Sequence, residues 1–423
     1  MPGHGMMTEL RRATGLVAVL RAVHERPGIE RVAVARETGM TSGFVTETVA
    51  RLRALDLVTE RPAPPTGGRG RPTTTIHPHP RGPLVVAAAV GHETWKLAVA
   101  QLGGTELVRA DRAHRRDPDQ VLDELGAALR CVRGRYRRRI RAVAVSVPGT
   151  VVDNHLAQAA NLGWEDIDLG VLWPRERDGR AILAGNDASF AAIAEARRGA
   201  AVGAGSVLHL YMDAGIGGGV IEGGRLVLGA TSTAGEFGHM PFGDPAQQCR
   251  CGARGCWNTT LDGAAVARAL NQPQPTDEVS YVRHVLAVAR AAPVLQHEEV
   301  AAAQQMASAT GRGVAGLVNA LDPDIVTFGG LGRELLEVAG DHVHSAYLAG
   351  LMHFRLSAPP PLVPAYFGDD APLVGATEEA FSAFLTKGGL RSWSQRRQQS
   401  ADLLNGRAGE TAESTPHLRQ RQS

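Results

Sequence analysis

The stretch Gly235–Asn258, GEFGHMPFGDPAQQCRCGARGCWN, decides how the rest of the chain is read. His239, Cys249, Cys251 and Cys256 fall within eighteen residues of one another and include three of the four cysteines in the chain. One imidazole and three thiolates form a closed tetrahedral ligand set for zinc. Glycines at 252 and 255 let the backbone turn tightly enough for the sulfurs to converge. An ion with four protein ligands has no open position, so the pattern predicts a structural Zn2+ clamp and not a catalytic metal.

Upstream, residues 14–26 place Leu16, Val17, Leu20 and Val23 at helical spacing, and the helix ends near Pro27-Gly28. A short helix is expected over Glu30–Thr38, burying Val32 and Ala35, followed by a turn at Gly39. Thr41 is a suitable N-cap for a third helix that buries Val45, Val49 and Leu52 and presents Ser42, Gly43, Thr46, Glu47 and Arg51 on its other face. The runs 57–60 and 73–76 can pair as a hairpin around PAPPTGGRGRP, whose tip carries Arg69 and Arg71. Three helices and a basic hairpin over residues 10–77 predict a winged helix-turn-helix. Thr41, Ser42, Gly43, Thr46, Arg51, Arg69 and Arg71 are then the candidates for contact with double-stranded operator DNA. Charge agrees: residues 1–82 carry 12 arginines against 7 acidic residues, a local net charge of +5, while the remainder carries 33 basic and 36 acidic residues. The alternating prolines of residues 78–83 read as a stiff linker.

From Leu84 the pattern is α/β, with strands at 84–90, 95–101, 106–110, 140–147, 181–184, 206–212, 217–222 and 325–328, and helices at 118–133, 188–198 and 372–384. Residues 387–423 are rich in Arg, Gln, Ser and Gly and are expected to be a disordered tail. No apolar run approaches the length of a membrane span, and Arg21 interrupts the only N-terminal segment that could be a signal peptide. Clustered, reduced cysteines fit a cytoplasmic protein with no membrane partner.

GEFGHM followed by CRCGARGCW resembles the zinc signature of the ROK family, which contains bacterial sugar kinases and sugar-responsive repressors. The resemblance covers residues 84–386 and implies a two-lobed actin-like, sugar-kinase-like domain with a cleft. It places Asn161, Asn186, Asp187, Glu236 and His239 at the sugar, with Asn258 where family members carry a glutamate. Asp187 stands at the position of a catalytic base, although Asn186-Asp187 also reads as a helix N-cap pair. The segment of the first phosphate loop, Ala88–Thr94, holds His92 and Glu93 in place of an acidic, glycine-rich turn, which counts against nucleotide binding. The family's kinases lack a winged N-terminal domain. The combined expectation is a DNA-binding regulator, a repressor, that acts as a homodimer or homotetramer and responds to a sugar or sugar derivative. A sugar kinase and a ligand-independent DNA-binding protein are the alternatives.

Overall fold

The computed structural model describes residues 4–63, 74–136, 138–159, 162–173, 182–213, 215–291 and 297–398. The chain divides into two compact units, one formed by residues 1–84, 101–105 and 381–423 and the other by residues 85–100 and 106–380.

The first unit opens with α1 (His4–Glu25), β1 (Ile29–Glu30), α2 (Arg31–Thr38) and α3 (Ser42–Ala54). Val19, Leu20 and Val23 of α1 are fully buried, as are Val45, Val49 and Leu52 of α3. The Gly39 turn has a left-handed φ of 66°. Thr41 caps α3, its Oγ1 accepting from the Phe44 N–H at 3.4 Å. In α2 the helix is rotated from its expected phase: Val34 is buried and Val32 is 69% exposed. Four consecutive apolar residues, Val32 to Ala35, in an eight-residue helix do not fix its phase, and docking against α3 does. The hairpin β2 (Val58–Pro62) and β3 (Thr74–Pro78) is antiparallel, with β1 added beside β3 to give the order β1-β3-β2. Arg69 and Arg71 lie outside the described residues. The stretch expected to be an extended linker is instead a turn. Gly82 N–H donates to His79 O (2.8 Å) and His79 N–H to Leu57 O (3.1 Å), which ties the stretch to the end of α3.

The second unit contains two lobes with the same sheet plan. The first is built from β4 (Leu84–Val90), β5 (Thr94–Gln101), β6 (Glu106–Ala113), α4 (Pro118–Tyr136) and β7 (Ile140–Val147). A small antiparallel flap follows, β8 (Thr150–Val152), β9 (His155–Ala159) and β10 (Trp164–Asp168), and β11 (Ile182–Asn186) closes the lobe. After α5 (Asp187–Arg198) come β12 (Ser206–Met212), β13 (Ile216–Glu222) and β14 (Arg225–Leu226). The metal-signature loop, α6 (Gly263–Ala269), α7 (Glu278–Ala291) and α8 (Glu298–Leu321) precede β15 (Ile325–Gly330), α9 (Leu331–Gly350), β16 (Leu362–Pro364) and α10 (Ala371–Phe384). The two five-stranded orders, β6-β5-β4-β7-β11 and β14-β13-β12-β15-β16, both run third, second, first, fourth, fifth. The first three strands of the second lobe pair antiparallel, and its later strands join in parallel. This duplicated sheet is the actin-like architecture expected from the resemblance. Every residue of β4 and β7 is buried, Arg141 and Ser146 of β7 included, as strands covered on both faces must be.

Past α10 the chain rejoins the first unit and forms one more helix, α11 (residues 387–398). This corrects the expectation of a disordered tail over that stretch. Leu390 and Trp393 are 6% and 4% exposed, and their burial stabilises a helix that composition alone does not support. Residues 399–423 lie outside the described residues.

Candidate functional site

A cavity of about 430 Å³ opens at the strand ends of both lobes. Among the expected sugar-binding residues, Asn186, Asp187, Glu236, His239 and Asn258 all line it, and Asn161 lies outside the described residues. They arrive from separate elements. β11 and α5 deliver Asn186-Asp187, the loop after β14 delivers Glu236 and His239, and the loop before α6 delivers Asn258. Gly235 makes the approach possible. It has φ 104°, and a Cβ there would sit 2.2 Å from Gly218 O of β13.

The five residues are not equivalent. Asn186 Oδ1 accepts from Ser189 N–H (3.1 Å) and its Nδ2 donates to Gly149 O (2.9 Å), so it caps α5 and holds the cavity wall. Asn258 Oδ1 accepts from Ile216 N–H at 2.7 Å and buttresses the glycine-rich turn before β13. Asp187 accepts from Ala188 N–H (2.8 Å) and faces the cavity. Desolvation, and secondarily the charge of Asp213, push its pKa up to about 6. Glu236 is about half exposed, with a carboxylate oxygen 4.0 Å from His239 Nε2.

His239 also faces the sulfurs. Its Nδ1 lies 3.7 Å from Cys249 Sγ, and Cys251 Sγ lies 3.6 Å from Cys256 Sγ. The four ligand atoms are all within 4.8 Å of one another. A tetrahedral ion with Zn–S bonds of ~2.3 Å sets ligand–ligand edges of about 3.7 Å, so the set fits zinc. The donor chemistry agrees. Burial, followed by the neighbouring thiols, pushes Cys256 up to about 12, and a dication is what relieves such crowding. Gly252 and Gly255 adopt φ of 93° and 71°, the turns that the sequence called for.

Two cavity features escaped the sequence reading. Thr150 and Gln158 of the flap line the same cavity. The flap's hairpin turns at Asp153-Asn154 with φ of 51° and 66°, a two-residue turn type that this dipeptide signals. The second feature is an ion pair. His92, in the turn between β4 and β5, places Nε2 3.1 Å from Asp213 Oδ2 at the end of β12. Burial opposes its charge, but the hydrogen bond to Asp213 and the charges of Asp213 and Asp187 outweigh burial and hold His92 above its ordinary value. The pair borders a second cavity of about 180 Å³, also lined by Lys96, Arg116, Asp187, Asp277 and Arg283.

In the first unit, Thr41, Ser42, Gly43, Thr46, Glu47 and Arg51 are all exposed, as the periodicity of α3 requires. Glu47 pairs with Arg51 at 2.9 Å. Glu60 on β2 accepts from Arg31 Nε (2.7 Å) and Arg53 Nη1 (2.9 Å), a brace between α2, α3 and the hairpin that spacing did not reveal.

A duplicated α/β sheet with a polar cleft and a His/Cys3 loop, together with a helix-turn-helix and hairpin unit, defines a sugar-kinase-like domain joined to a winged helix-turn-helix fold. Residues 85–380 match the ROK family, and the chain belongs to that family. It is 23% identical over 374 residues to the xylose repressor of Bacillus spizizenii, covering 87% of this chain and 94% of that one. The crystal structure of a ROK family transcriptional regulator, a homolog of the E. coli MLC protein, superposes with a TM-score of 0.71 at 20% identity, covering 90% of this chain and 98% of that one. A ROK family glucokinase from Streptomyces griseus, in complex with glucose and AMPPNP, superposes with a TM-score of 0.58 at 26% identity, covering 71% of this chain and 99% of that one.

Proposed function

We propose that this protein is a cytoplasmic, sugar-responsive transcriptional repressor that binds operator DNA through its first unit and a sugar or sugar derivative through the cleft of its second. The observation that carries the reading is the exposed, small and polar face of α3, Ser42, Gly43, Thr46, Glu47 and Arg51, on a winged fold attached to a ROK domain. Small residues at the start of a recognition helix let its backbone approach base edges, and Thr46 and Arg51 supply hydrogen-bonding groups. Arg69 and Arg71 extend the contact toward the minor groove.

In the cleft, Asp187 and Glu236 accept from sugar hydroxyls, and His239 offers Nε2 while its Nδ1 is turned to the metal position. Asn186 and Asn258 hold these groups in place. Asn161 belongs to the same set. Zinc held by His239, Cys249, Cys251 and Cys256 supplies rigidity to the loop when bound. A neutral Asn258 in place of the family glutamate makes this pocket less acidic, which tunes the sugar it accepts. For the sugar to act, it must bind one arrangement of the protein more tightly than another, and release from DNA then follows by linkage. A twofold assembly, dimer or tetramer, requires a pseudo-palindromic operator.

Kinase activity is a second reading, favoured by Asp187, a carboxyl with a raised pKa at the cleft wall. Against it stands the His92–Asp213 pair, which lines both cavities and so lies where a nucleotide's phosphates would have to meet the sugar. The test is direct. Full-length protein is used to select duplexes from a random library, and the same preparation is incubated with Mg-ATP and a panel of hexoses, pentoses and amino sugars. Enrichment of a palindromic site that a sugar releases, with no ATP turnover, supports the repressor. Turnover abolished by Asp187→Ala, with no site enriched, overturns it.

A further inference from the structure

Beyond residue 82 the acidic residues outnumber the basic ones, 36 to 33, yet residues 130–141 read RCVRGRYRRRIR, seven arginines and no acidic side chain in twelve positions. α4 carries its charges in two blocks. Asp119, Asp123 and Glu124 stand in its first half, and its only basic residues, Arg130, Arg133 and Arg135, stand in its last two turns. The negative end of a helix dipole favours cations in its last turn. That does not account for a run that continues through the following turn and into β7.

The arginines do different things. Arg133 stacks on Trp173, with its Cζ 5.3 Å from the ring centroid. Arg141, only 6% exposed, donates from Nε to Arg139 O (3.2 Å) and from Nη2 to Arg138 O, which fixes the turn from beneath. Arg139 N–H closes the turn onto Tyr136 O at 2.8 Å. Val121, Leu125, Leu129 and Val132 are buried and set the phase of α4, which leaves Arg130 and Arg135 on its solvent side. Arg130, Arg135 and Arg138 are exposed, and none of the three forms an ion pair among the described residues. β7 starts at Ile140 beside this turn, and the larger cavity lies past its other end, at Pro148 and Gly149. Eight strand residues span about 25 Å, so the arginines are remote from the sugar pocket.

A guanidinium fork matches phosphate and carboxylate alike, so the neighbouring residues decide the partner. Cys131 and Gly134, the exposed residues between the arginines of α4, provide no aromatic or aliphatic anchor of the kind that a protein partner buries. Binding to a nucleic-acid backbone needs charge alone. Arg130 and Arg135 are about 7.5 Å apart along the helix axis, close to the ~6.8 Å of two phosphate steps along one strand of a duplex.

We infer that the end of α4 and the turn into β7 form a second, sequence-independent surface for double-stranded DNA, on which Arg130, Arg135 and Arg138 meet backbone phosphates. The choice of DNA as the polyanion rests on the reading proposed above. Phosphate contacts carry no sequence information, so this surface raises affinity for every duplex alike, while α3 supplies discrimination.

The experiment compares full-length protein with Arg130→Gln/Arg135→Gln/Arg138→Gln and with the same three positions changed to Lys. Each is titrated over a range of salt with the duplex selected by full-length protein, with a scrambled duplex and with polyglutamate, and an unchanged thermal midpoint shows that the fold is intact. The glutamine variant should lose about tenfold in affinity at low salt, by the same factor on both duplexes, and its salt slope should flatten by about 2.7. The lysine variant keeps the charges and should stay within about threefold of wild type. Wild-type affinity and slope in the glutamine variant, or a loss confined to the selected duplex, overturns the inference while the reading of α3 stands. Unchanged duplex binding with lost polyglutamate binding assigns the surface to an acidic protein segment and also overturns it. If full-length protein selects no duplex but its binding to scrambled DNA falls in the glutamine variant, the reading of α3 fails and this inference stands.

Discussion

The two cavities of the second unit share His92, Asp187, Tyr211 and Asp213, yet their chemistry differs. In the larger, Asp187 and Glu236 face open space, and the His239 edge that faces away from the sulfurs is directed toward Glu236. In the smaller, the cations already have acceptors within the protein. Lys96 donates to Asp370 Oδ1 (2.6 Å) and Asp369 O (3.0 Å), Arg116 to His92 O (3.2 Å) and Arg283 to Glu334 (3.0 Å). A phosphate entering there must displace protein acceptors and the His92–Asp213 pair. The comparison teaches that two adjoining cavities can share lining residues while one leaves carboxylates facing its space and the other turns its charges inward.

The largest expected effect breaks the larger cavity's support. Cys251→Ser should reduce zinc from about one equivalent toward zero by elemental analysis. It should also lower the thermal midpoint of the second unit by roughly 10 °C or more, because a structural zinc contributes folding free energy directly. Full metal occupancy in that variant would refute the ligand assignment.

Next in size, Asp187→Ala should weaken the effector sugar by about 10–150-fold in calorimetry, the span of one hydrogen bond to a charged group. The matching change on the other side, His92→Ala, should alter sugar affinity by less than about threefold. Equal losses would mean that the two cavities are one site.

Acidity sharpens the same contrast. With Asp187 raised to about 6, its carboxylate is the better acceptor above that pH and is protonated below it. Sugar affinity should therefore fall about tenfold from pH 8 to pH 5, and Asp187→Asn should bind weakly with a flat profile over that range. The smallest effect lies outside the cavities. Arg51→Ala should cost a few-fold in duplex affinity and flatten the salt dependence by about one counterion.

These contrasts separate what the sequence made legible from what it hid. The clustering of His239, Cys249, Cys251 and Cys256 is legible because all four sit in one short loop, where spacing stands in for distance. α3 was readable because Val45, Val49 and Leu52 repeat at helical period and Thr41 caps them. The flap that brings Thr150 and Gln158 to the cavity leaves a trace in the sequence at Asp153-Asn154. Other features left none. His92 and Asp213 are far apart in the chain and meet only because β4 and β12 occupy equivalent places in two lobes. α11 offers only Leu390 and Trp393 amid Lys, Arg, Ser and Gln, too few apolar residues to suggest a helix until its partners at Leu55 and Asp56 are known. The phase of α2 and the turn at residues 79–82 are likewise set by contacts distant in sequence, which override local preference.

The account depends most on the exposed face of α3 and the open cavity acting on one equilibrium. The direct measurement is the affinity of full-length protein for its selected duplex, by fluorescence anisotropy at near-physiological salt, with and without each member of a sugar panel. The account predicts discrimination of at least ~10³ over scrambled DNA and a weakening of at least about fivefold by one sugar. Equal affinity for both duplexes, or a selected complex that no sugar perturbs, would contradict it.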